Sequence, residues 1–158
     1  MPGFDFAAIS LLERLLATLD GASVRTGRTP RIRPHLALGI RGEEAAFFFL
    51  RRQRYVITAR SWRSHRHSGD IDLIGWDGDC LCFVEVKTRT TRDVASAESA
   101  VDDRKRKTLR KMARHYLRQL PQPSAVRFDV LSIYFEEGKP PEFLLFKNAF
   151  GWAEVSPY

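Results

Sequence analysis

Apolar residues near the start of the chain recur at helical spacing and predict an amphipathic helix over residues 5–20. Residues 21–34 follow and are rich in arginine, glycine, threonine and proline, with no acid. This composition predicts a linker. Two interpretations stay open, namely a flexible tether with solvated arginines and a basic arm that contacts nucleic acid. The apolar positions of the helix are Phe6, Ile9, Leu12, Leu15, Leu16 and Leu19.

From about Leu38 onward, the pattern is that of a folded domain in which helices and strands alternate. Glu43 and Glu44 lie in the first turn of one helix, and Asp102 or Asp103 caps the other. The predicted elements are a helix over 42–54, a strand over 55–59, a polar loop over 61–68, a helix over 102–120, and strands over 126–135 and 143–150. Together with a hairpin between the loop and the second helix, this order predicts an α/β fold with a mixed β-sheet flanked by α-helices.

The predicted hairpin consists of two runs of alternating apolar and polar residues, 69–74 and 83–87, which flank an Asp77-Gly78 turn signal. Residues two apart on a strand share a face, so a two-residue turn sorts the side chains into two sets. One face is apolar and consists of Ile71, Leu73, Cys82, Val84 and Val86. The other face collects Asp70, Asp72, Glu85 and Lys87, with Asp72 opposite Phe83 and Asp70 opposite Glu85.

Three acids and a lysine on one face suit a divalent metal site. Diagonal cross-strand positions such as Asp72 and Glu85 lie about 7–8 Å apart, so both carboxylates reach one ion. Mg²⁺ or Mn²⁺ held in this way supports phosphodiester hydrolysis. Lys87 is a candidate to hold or activate the attacking water, and Glu43, on the inner side of its helix, is a candidate third carboxylate. The alternative is a set of surface ion pairs between Asp70 and cations of the second strand.

These residues together resemble the YraN-like family of bacterial proteins. That family is assigned to the PD-(D/E)XK restriction-endonuclease-like superfamily and is similar to archaeal Holliday-junction resolvases. The resemblance covers roughly residues 39–150 and implies a central mixed sheet between helices. It also implies a metal site of Glu43, Asp72, Glu85 and Lys87. Ile71 stands where the superfamily has proline, and Asp70 stands where the family has glutamate. The motifs that carry the resemblance are Gly42-Glu43 with Ala46, Gly69 to Ile74, Phe83 to Arg89, and Arg127-Phe128-Asp129-Val130.

The charge balance points to a polyanionic partner. The chain has 26 lysines and arginines against 19 acids and a formal charge of +7, which favours nucleic acid as that partner. One side of the predicted 102–120 helix carries eight cations, and their mutual repulsion favours nucleic-acid contact over plain solvation. The predicted nucleic-acid contacts are Arg89, Lys105, Lys107, Lys111 and Arg114, and Arg127 is a further candidate phosphate contact near the site.

Cysteine usage and hydropathy bear on the compartment. Cys80 and Cys82 lie on one face of a predicted strand, where a disulfide between them is disfavoured. Buried reduced thiols are therefore expected, which suits a cytoplasmic protein. No apolar run is long enough for a membrane span, and acids interrupt the N-terminal apolar stretch, so we predict neither a membrane segment nor a signal peptide.

The leading hypothesis is a Mg²⁺- or Mn²⁺-dependent endonuclease that hydrolyses DNA, with branched or damaged DNA as candidate substrates. In this interpretation residues 1–37 form the helix and linker, and residues 38–158 form the endonuclease-like domain. The alternative is a non-catalytic nucleic-acid-binding module that keeps the fold while its acids serve structure. A third interpretation, suggested by the N-terminal helix, is a subunit that depends on a partner. Cutting both strands of a duplex takes two cuts, so a homodimer is among the expected assemblies.

Overall fold

A computed structural model describes residues 33–91, 101–120 and 125–152 of the chain. These ranges form two helices and five strands. Their bounds are α1 (Pro34–Arg52), β1 (Val56–Ser64), β2 (His67–Asp77), β3 (Cys80–Arg89), α2 (Asp103–Leu117), β4 (Ala125–Tyr134) and β5 (Glu142–Phe150). The helix predicted over residues 5–20 and most of the predicted linker lie outside the described residues. Within those described, no helix has the length and apolar character that crossing a membrane requires.

The five strands form one sheet in the order β1-β2-β3-β4-β5. β3 and β4 run parallel, and every other pair of neighbours is antiparallel. Parallel neighbours need a crossover connection, and the one between β3 and β4 contains α2. The prediction of an α/β fold with a mixed sheet flanked by helices is confirmed.

Both faces of the sheet are apolar, and each is covered by one helix. Along α1, every fourth position from Gly42 through Ala46 to Leu50 is buried, so this side of the helix faces the sheet. Cys82 is buried and Cys80 lies half-buried beside it, both as free thiols, as predicted. The core under α1 contains Ala46, Leu50, Tyr55, Leu73, Cys82, Val84, Leu131 and Ile133. The core under α2 includes Ile71, Ile74, Leu81, Phe83, Leu109, Met112, Ala113, Phe128 and Val130.

The ends of the two helices follow local sequence signals. α1 begins at Pro34, a residue favoured in the first turn, and therefore starts ahead of the predicted position at Gly42. Its last turn is basic, which complements the helix dipole. α2 is capped as predicted, because Oδ1 of Asp102 accepts a hydrogen bond from the N–H of Lys105 at 2.7 Å.

The β2–β3 hairpin turns one residue later than predicted. Its two-residue loop is Gly78-Asp79 and not Asp77-Gly78. Gly78 has a φ of +60° at the first central position, where type II′ hairpin turns favour glycine. The register differs from the prediction by two residues, so Phe83 lies opposite Ile74 and not opposite Asp72. An even shift keeps the side chains of a strand on the same faces, which is why the acids still fall together.

Ile71 departs from the predicted apolar face. The β2–β3 ladder ends at Leu73 and Val84, so the predicted pairing of Asp70 with Glu85 is wrong. Ile71 packs in the core under α2, whereas Leu73 packs under α1. β2 therefore parts from β3 on the N-terminal side of Leu73, and the hairpin is open at the end away from its turn.

The polar loop predicted over residues 61–68 is also wrong, because β1 and β2 continue through most of it as a hairpin. Ser61 has a φ of +43°, which breaks the regular alternation of β1. Beyond that point Trp62 packs against Tyr116 of α2, with ring centroids 5.3 Å apart. Polar residues on both faces of this hairpin hide the period of a strand from sequence analysis.

Candidate functional site

Asp72 lies where β2 parts from β3. Its Oδ2 accepts a hydrogen bond from the N–H of Val86 at 2.7 Å. The Asp72 side chain therefore accepts a hydrogen bond that a backbone carbonyl of β2 would accept in an unbroken ladder. Asp72 bridges the open end of the hairpin, and its carboxylate lies directly beside β3.

Glu85 is only 2% exposed and belongs to the strand at the centre of the sheet. Lys87 Nζ donates a hydrogen bond to Glu85 Oε1 at 2.8 Å. Lys105, from the first turn of α2, places Nζ 3.1 Å from Oε2 as an ion pair. Oε2 itself accepts no hydrogen bond of good geometry among the described residues. We refer to Asp72, Glu85, Lys87 and Lys105 as the acid cluster.

The acid cluster holds two carboxylates whose charges oppose each other. Burial, and after it the charge of Glu85, raises the pKa of Asp72 to about 7. Burial acts to lower the pKa of Lys105, but the charges of Glu85 and Asp72 outweigh it and the pKa is raised. Lys105 therefore stays cationic, and Asp72 is only partly ionised near neutral pH. A further cation beside Asp72 would stabilise its charged form.

Glu43 reaches the same region from α1. Its Oε2 accepts a hydrogen bond from Oγ of Ser61 at 2.8 Å, which holds the carboxylate towards β1. Nothing in the sequence singles out Ser61, because a serine in a polar segment carries no distinctive signal. A cavity of about 300 Å³ adjoins all three predicted carboxylates and is lined by His35, Leu38, Gly39, Glu43, Asp72, Glu85, Val86 and Thr88.

Two glycines allow the helices to approach the site closely. A Cβ atom on Gly42 would lie 1.9 Å from Oγ1 of Thr88, so α1 meets β3 at a position where only glycine fits. Gly69 has a φ of +112°, and its added Cβ would lie 2.5 Å from Cγ2 of Thr108 in α2. A glycine inside a helix lowers stability relative to alanine, so Gly42 was the available sequence signal for close packing.

Asp70 and Arg89 lie at the edges of the site. Asp70 forms ion pairs with Lys105 at 3.4 Å and with Arg63 at 3.7 Å. In the alternative interpretation, surface ion pairs join Asp70 to cations of β3. The observed partners of Asp70 come instead from α2 and β1. Arg89 is half-buried at the end of β3, where its backbone oxygen accepts a hydrogen bond from the N–H of Phe135 at 2.8 Å.

The cations predicted to contact nucleic acid fall into two groups on α2. Lys105 is engaged by the carboxylates of Glu85 and Asp70. Lys107, Lys111 and Arg114 are exposed further along the helix. The first turn of α2 therefore belongs to the acid cluster, while the outer cations belong to the protein surface.

A second charged cluster is formed by side chains from β2, β4 and β5 together with Tyr55. Asp129 is fully buried, and its two oxygens lie 2.9 and 3.1 Å from Nε of Arg127. The Tyr55 hydroxyl donates to Oδ2 of Asp129 at 3.2 Å, and Asp77 accepts from both Arg127 and Lys147. The prediction that Arg127 contacts phosphate near the acids is wrong, because its guanidinium is held inside this cluster. We call Tyr55, Asp77, Arg127, Asp129 and Lys147 the internal charge network.

The donor atoms of the site are of the chemical type that binds a hard cation, but their positions do not form a finished metal site. Within the described ranges, no three Asp, Glu, His or Cys side chains converge as a ready-made metal site. Nonetheless, three carboxylates adjoin one cavity, and one buried oxygen of Glu85 lacks a hydrogen bond. Oxygen donors of this kind are those that Mg²⁺ and Mn²⁺ prefer. The residues that would hold such an ion are Asp72 and Glu85, with Glu43 as the third.

The mixed sheet, the flanking helices and the split hairpin that carries Asp72 and Glu85 together define a restriction-endonuclease-like α/β protein. A profile of the uncharacterised protein family UPF0102 matches residues 42–133, and the chain belongs to this family. The resemblance to YraN-like proteins is thereby confirmed.

Three relatives show how far this likeness extends. The UPF0102 protein of Koribacter versatilis is 54% identical over 116 residues, which are 73% of this chain and 80% of the relative. The UPF0102 protein of Solibacter usitatus is 44% identical over 104 residues, covering 65% of this chain and 79% of the relative. That of Rhodococcus jostii is 39% identical over 117 residues, covering 73% of this chain and 98% of the relative.

Proposed function

We propose that this protein is a metal-dependent endonuclease that hydrolyses DNA phosphodiester bonds. One observation carries the proposal. Two carboxylates, Asp72 and Glu85, lie together at the split of a restriction-endonuclease-like sheet, and both adjoin an open cavity. Asp72 has a raised pKa and Glu85 has a buried oxygen without a hydrogen bond. Both features are favourable for binding a cation between the two carboxylates.

In this proposal Asp72 and Glu85 hold Mg²⁺ or Mn²⁺, and Glu43 supports it from α1. When bound there, such an ion would supply charge neutralisation for the scissile phosphate and activation of a water. Lys87 is hydrogen-bonded to Glu85, so its ammonium group is held where it can orient the attacking water. Lys105 offers a second ammonium group, from α2, to the developing negative charge.

The substrate is placed by charge outside the acid cluster. Lys107, Lys111 and Arg114 extend the positive surface of α2 beyond Lys105. Phosphate contacts of this type fix the position of a nucleic acid and carry no sequence information. Arg89, two residues beyond Lys87 on β3, is a further phosphate contact in the proposal. We therefore expect selectivity for the shape of the DNA, with branched or damaged DNA among the substrates.

One design tests the proposal at the levels of metal and chemistry. Calorimetric titration with MnCl₂ is expected to show binding by the wild type and at least about tenfold weaker binding by Asp72→Ala, since a charged ligand is lost. The matched control is Asp79→Ala, which removes an exposed acid in the β2–β3 turn. Branched, flapped, single-stranded and duplex DNAs are then incubated with each protein and Mn²⁺. Cleavage that requires both Mn²⁺ and Asp72 supports the proposal.

A non-catalytic nucleic-acid-binding module is the second candidate, and one observation favours it. Lys87 and Lys105 already neutralise Glu85, and such pairing alone can stabilise a buried carboxylate. A wild type that binds DNA equally well in EDTA, binds no Mn²⁺ with DNA present and leaves the whole panel intact would establish this module and exclude the nuclease. Light scattering on the same samples reports whether the protein forms the homodimer that is among the expected assemblies.

A further inference from the structure

A second cavity lies beside α2, and the described residues that line it are absent from the cavity of the acid cluster. Its volume is about 510 Å³, within the range of small-ligand sites. We call it the Trp152 cavity. Its lining residues are Lys107, Arg110, Lys111, Arg114 and Trp152.

The indole of Trp152 is held in place by the core and by α2. Its ring packs against that of Phe128 in a T-shaped arrangement, with centroids 4.8 Å apart. Arg110, only 7% exposed, donates from Nε to the carbonyl oxygen of Gly151 at 2.9 Å and so ties this segment to the helix. The guanidinium of Arg114 lies 5.7 Å from the centre of the indole ring. The aromatic side chain is therefore a fixed part of the cavity wall.

The chemistry of the lining points to a ligand with both a negative charge and a flat ring. Four of the five described lining residues are cations and none is an acid, so an anion is attracted. The fifth is tryptophan, on which nucleobases stack whatever their sequence. Carboxylates of an acidic peptide would satisfy the cations but leave the indole without a stacking partner. A phosphodiester with its base uses both features.

The ring requirement selects for an unpaired base. Inside a duplex the faces of each base are covered by its neighbours, so an aromatic side chain stacks on bases in single-stranded segments or at ends. Arg114 in the cavity lies about 13 Å along α2 from Lys105 of the acid cluster, at 1.5 Å per residue, and about half a turn around the helix. The cavity is therefore a separate place on α2, and a strand that contacts both places has to pass around the helix.

We propose that the Trp152 cavity binds a nucleotide of a single-stranded nucleic-acid segment, with the phosphate on the cations and the base on Trp152. This inference deepens the proposed function and rests on it, because it makes single-stranded or frayed DNA the preferred substrate of the nuclease. Binding at the cavity needs no metal. It can therefore be measured in EDTA, where failure of the nuclease proposal does not affect the result.

The test measures binding of the full chain to fluorescently labelled oligonucleotides in EDTA. The probes are a thymidine single strand, an abasic single strand of the same length, a matched duplex and unlabelled polyglutamate as competitor. Wild type is expected to prefer the thymidine strand. Trp152→Leu should weaken binding of that strand on the order of tenfold and leave the abasic strand unchanged, because stacking is lost. Arg114→Ala should weaken the binding of both single strands.

The controls separate the cavity from general charge and from misfolding. Lys139→Ala removes an exposed cation of the β4–β5 turn, which is paired with Glu136, and should change no affinity. Trp152→Phe keeps a ring against Phe128 and should recover most of the affinity, whereas a folding defect would appear in its circular dichroism and melting curve. Equal binding of the thymidine and abasic strands by wild type would overturn the inference. So would efficient competition by polyglutamate, which would assign the cavity to acidic peptides.

Discussion

Two clusters of charged side chains lie on the sheet, the acid cluster on β2, β3 and α2 and the internal charge network on β2, β4 and β5 with Tyr55. They differ in how completely their buried carboxylate oxygens are hydrogen-bonded. In the internal charge network, the buried carboxylate of Asp129 receives hydrogen bonds from Arg127, Tyr55 and the N–H of Asn148. In the acid cluster, a buried oxygen of Glu85 receives no hydrogen bond of good geometry. The first cluster is closed within the protein, while the second opens to a cavity.

The pKa values express the same contrast. Hydrogen bonds from Lys147, and also from Arg127, lower the pKa of Asp77 in spite of the desolvation that opposes them. Burial and the charge of Glu85 raise the pKa of Asp72. A carboxylate whose charge is stabilised by its neighbours contributes to stability, whereas one whose charge is opposed is available for a ligand. Burial of acids alone therefore does not distinguish the two clusters, whereas the direction of the pKa shift and the adjoining cavity do.

The largest effect is expected from breaking the matched cluster. Asp129→Ala leaves Arg127 and Tyr55 without their buried partner, so the free energy of unfolding should fall by about 3–5 kcal/mol. Urea denaturation followed by tryptophan fluorescence measures this change. Asp129→Asn keeps the size of the side chain and should recover part of the loss. A decrease below about 1 kcal/mol for Asp129→Ala would mean that the network is no more important than a surface pair.

A change of opposite sign is expected from neutralising the unmatched cluster. Asp72→Asn should raise the free energy of unfolding at pH 8 by about 2 kcal/mol, because the folded state no longer holds an opposed charge. The native pKa of Asp72 is raised from 3.8 to about 7, so the folded wild type binds more protons than the unfolded chain between these values. Wild-type stability from this group therefore falls as the pH rises through that window.

The pH dependence of this variant is the sharper part of the test. The advantage of Asp72→Asn over wild type should be smaller at pH 5 than at pH 8 and level off above pH 7. Thermal melts across this range measure it. Asp79→Asn makes the same charge change in the exposed turn and should shift the melting temperature little at any pH. A destabilised Asp72→Asn at pH 8 would show that the acid cluster is as well matched as the network.

The smallest effect is expected at the rim of the matched cluster. Lys147 is 52% exposed and donates to Asp77 Oδ2 at 2.7 Å. Arg127 stays on Asp77 when Lys147 is removed, so Lys147→Ala should lower stability by no more than about 1 kcal/mol. This difference should fade at high salt, which screens exposed pairs. A larger, salt-independent loss in urea denaturation would extend the buried part of the network to its rim.

The hydrophobic pattern was sufficient to predict the fold class, the apolar face of the hairpin except for Ile71, and the grouping of Asp72, Glu85 and Lys87. It was not sufficient to predict the register, because loops at Asp77-Gly78 and Gly78-Asp79 differ by two residues in pairing. Both arrangements leave the same side chains on the same faces. The position of a turn therefore has to come from backbone conformation, here from the positive φ of Gly78.

Tertiary contacts explain the other differences. Lys105 has the sequence environment of a surface cation, and only the approach of the first turn of α2 to β3 brings it to Glu85. Arg127 likewise has the character of a phosphate contact, but Asp129 lies on the same strand two residues along and binds it internally. Ile71 leaves its predicted face because β2 parts from β3, a break that no periodicity records.

The hydrogen bond between Asp72 and the N–H of Val86 joins the chemistry of the site to the continuity of the sheet. Any ligand that draws the Asp72 carboxylate away leaves a strand amide to find another acceptor. Part of the affinity for that ligand therefore depends on how readily β2 separates from β3 at this end of the hairpin. Ligand binding at the site and local opening of the hairpin are then coupled equilibria. Residues that stiffen the strands therefore change the affinity without contacting the ligand.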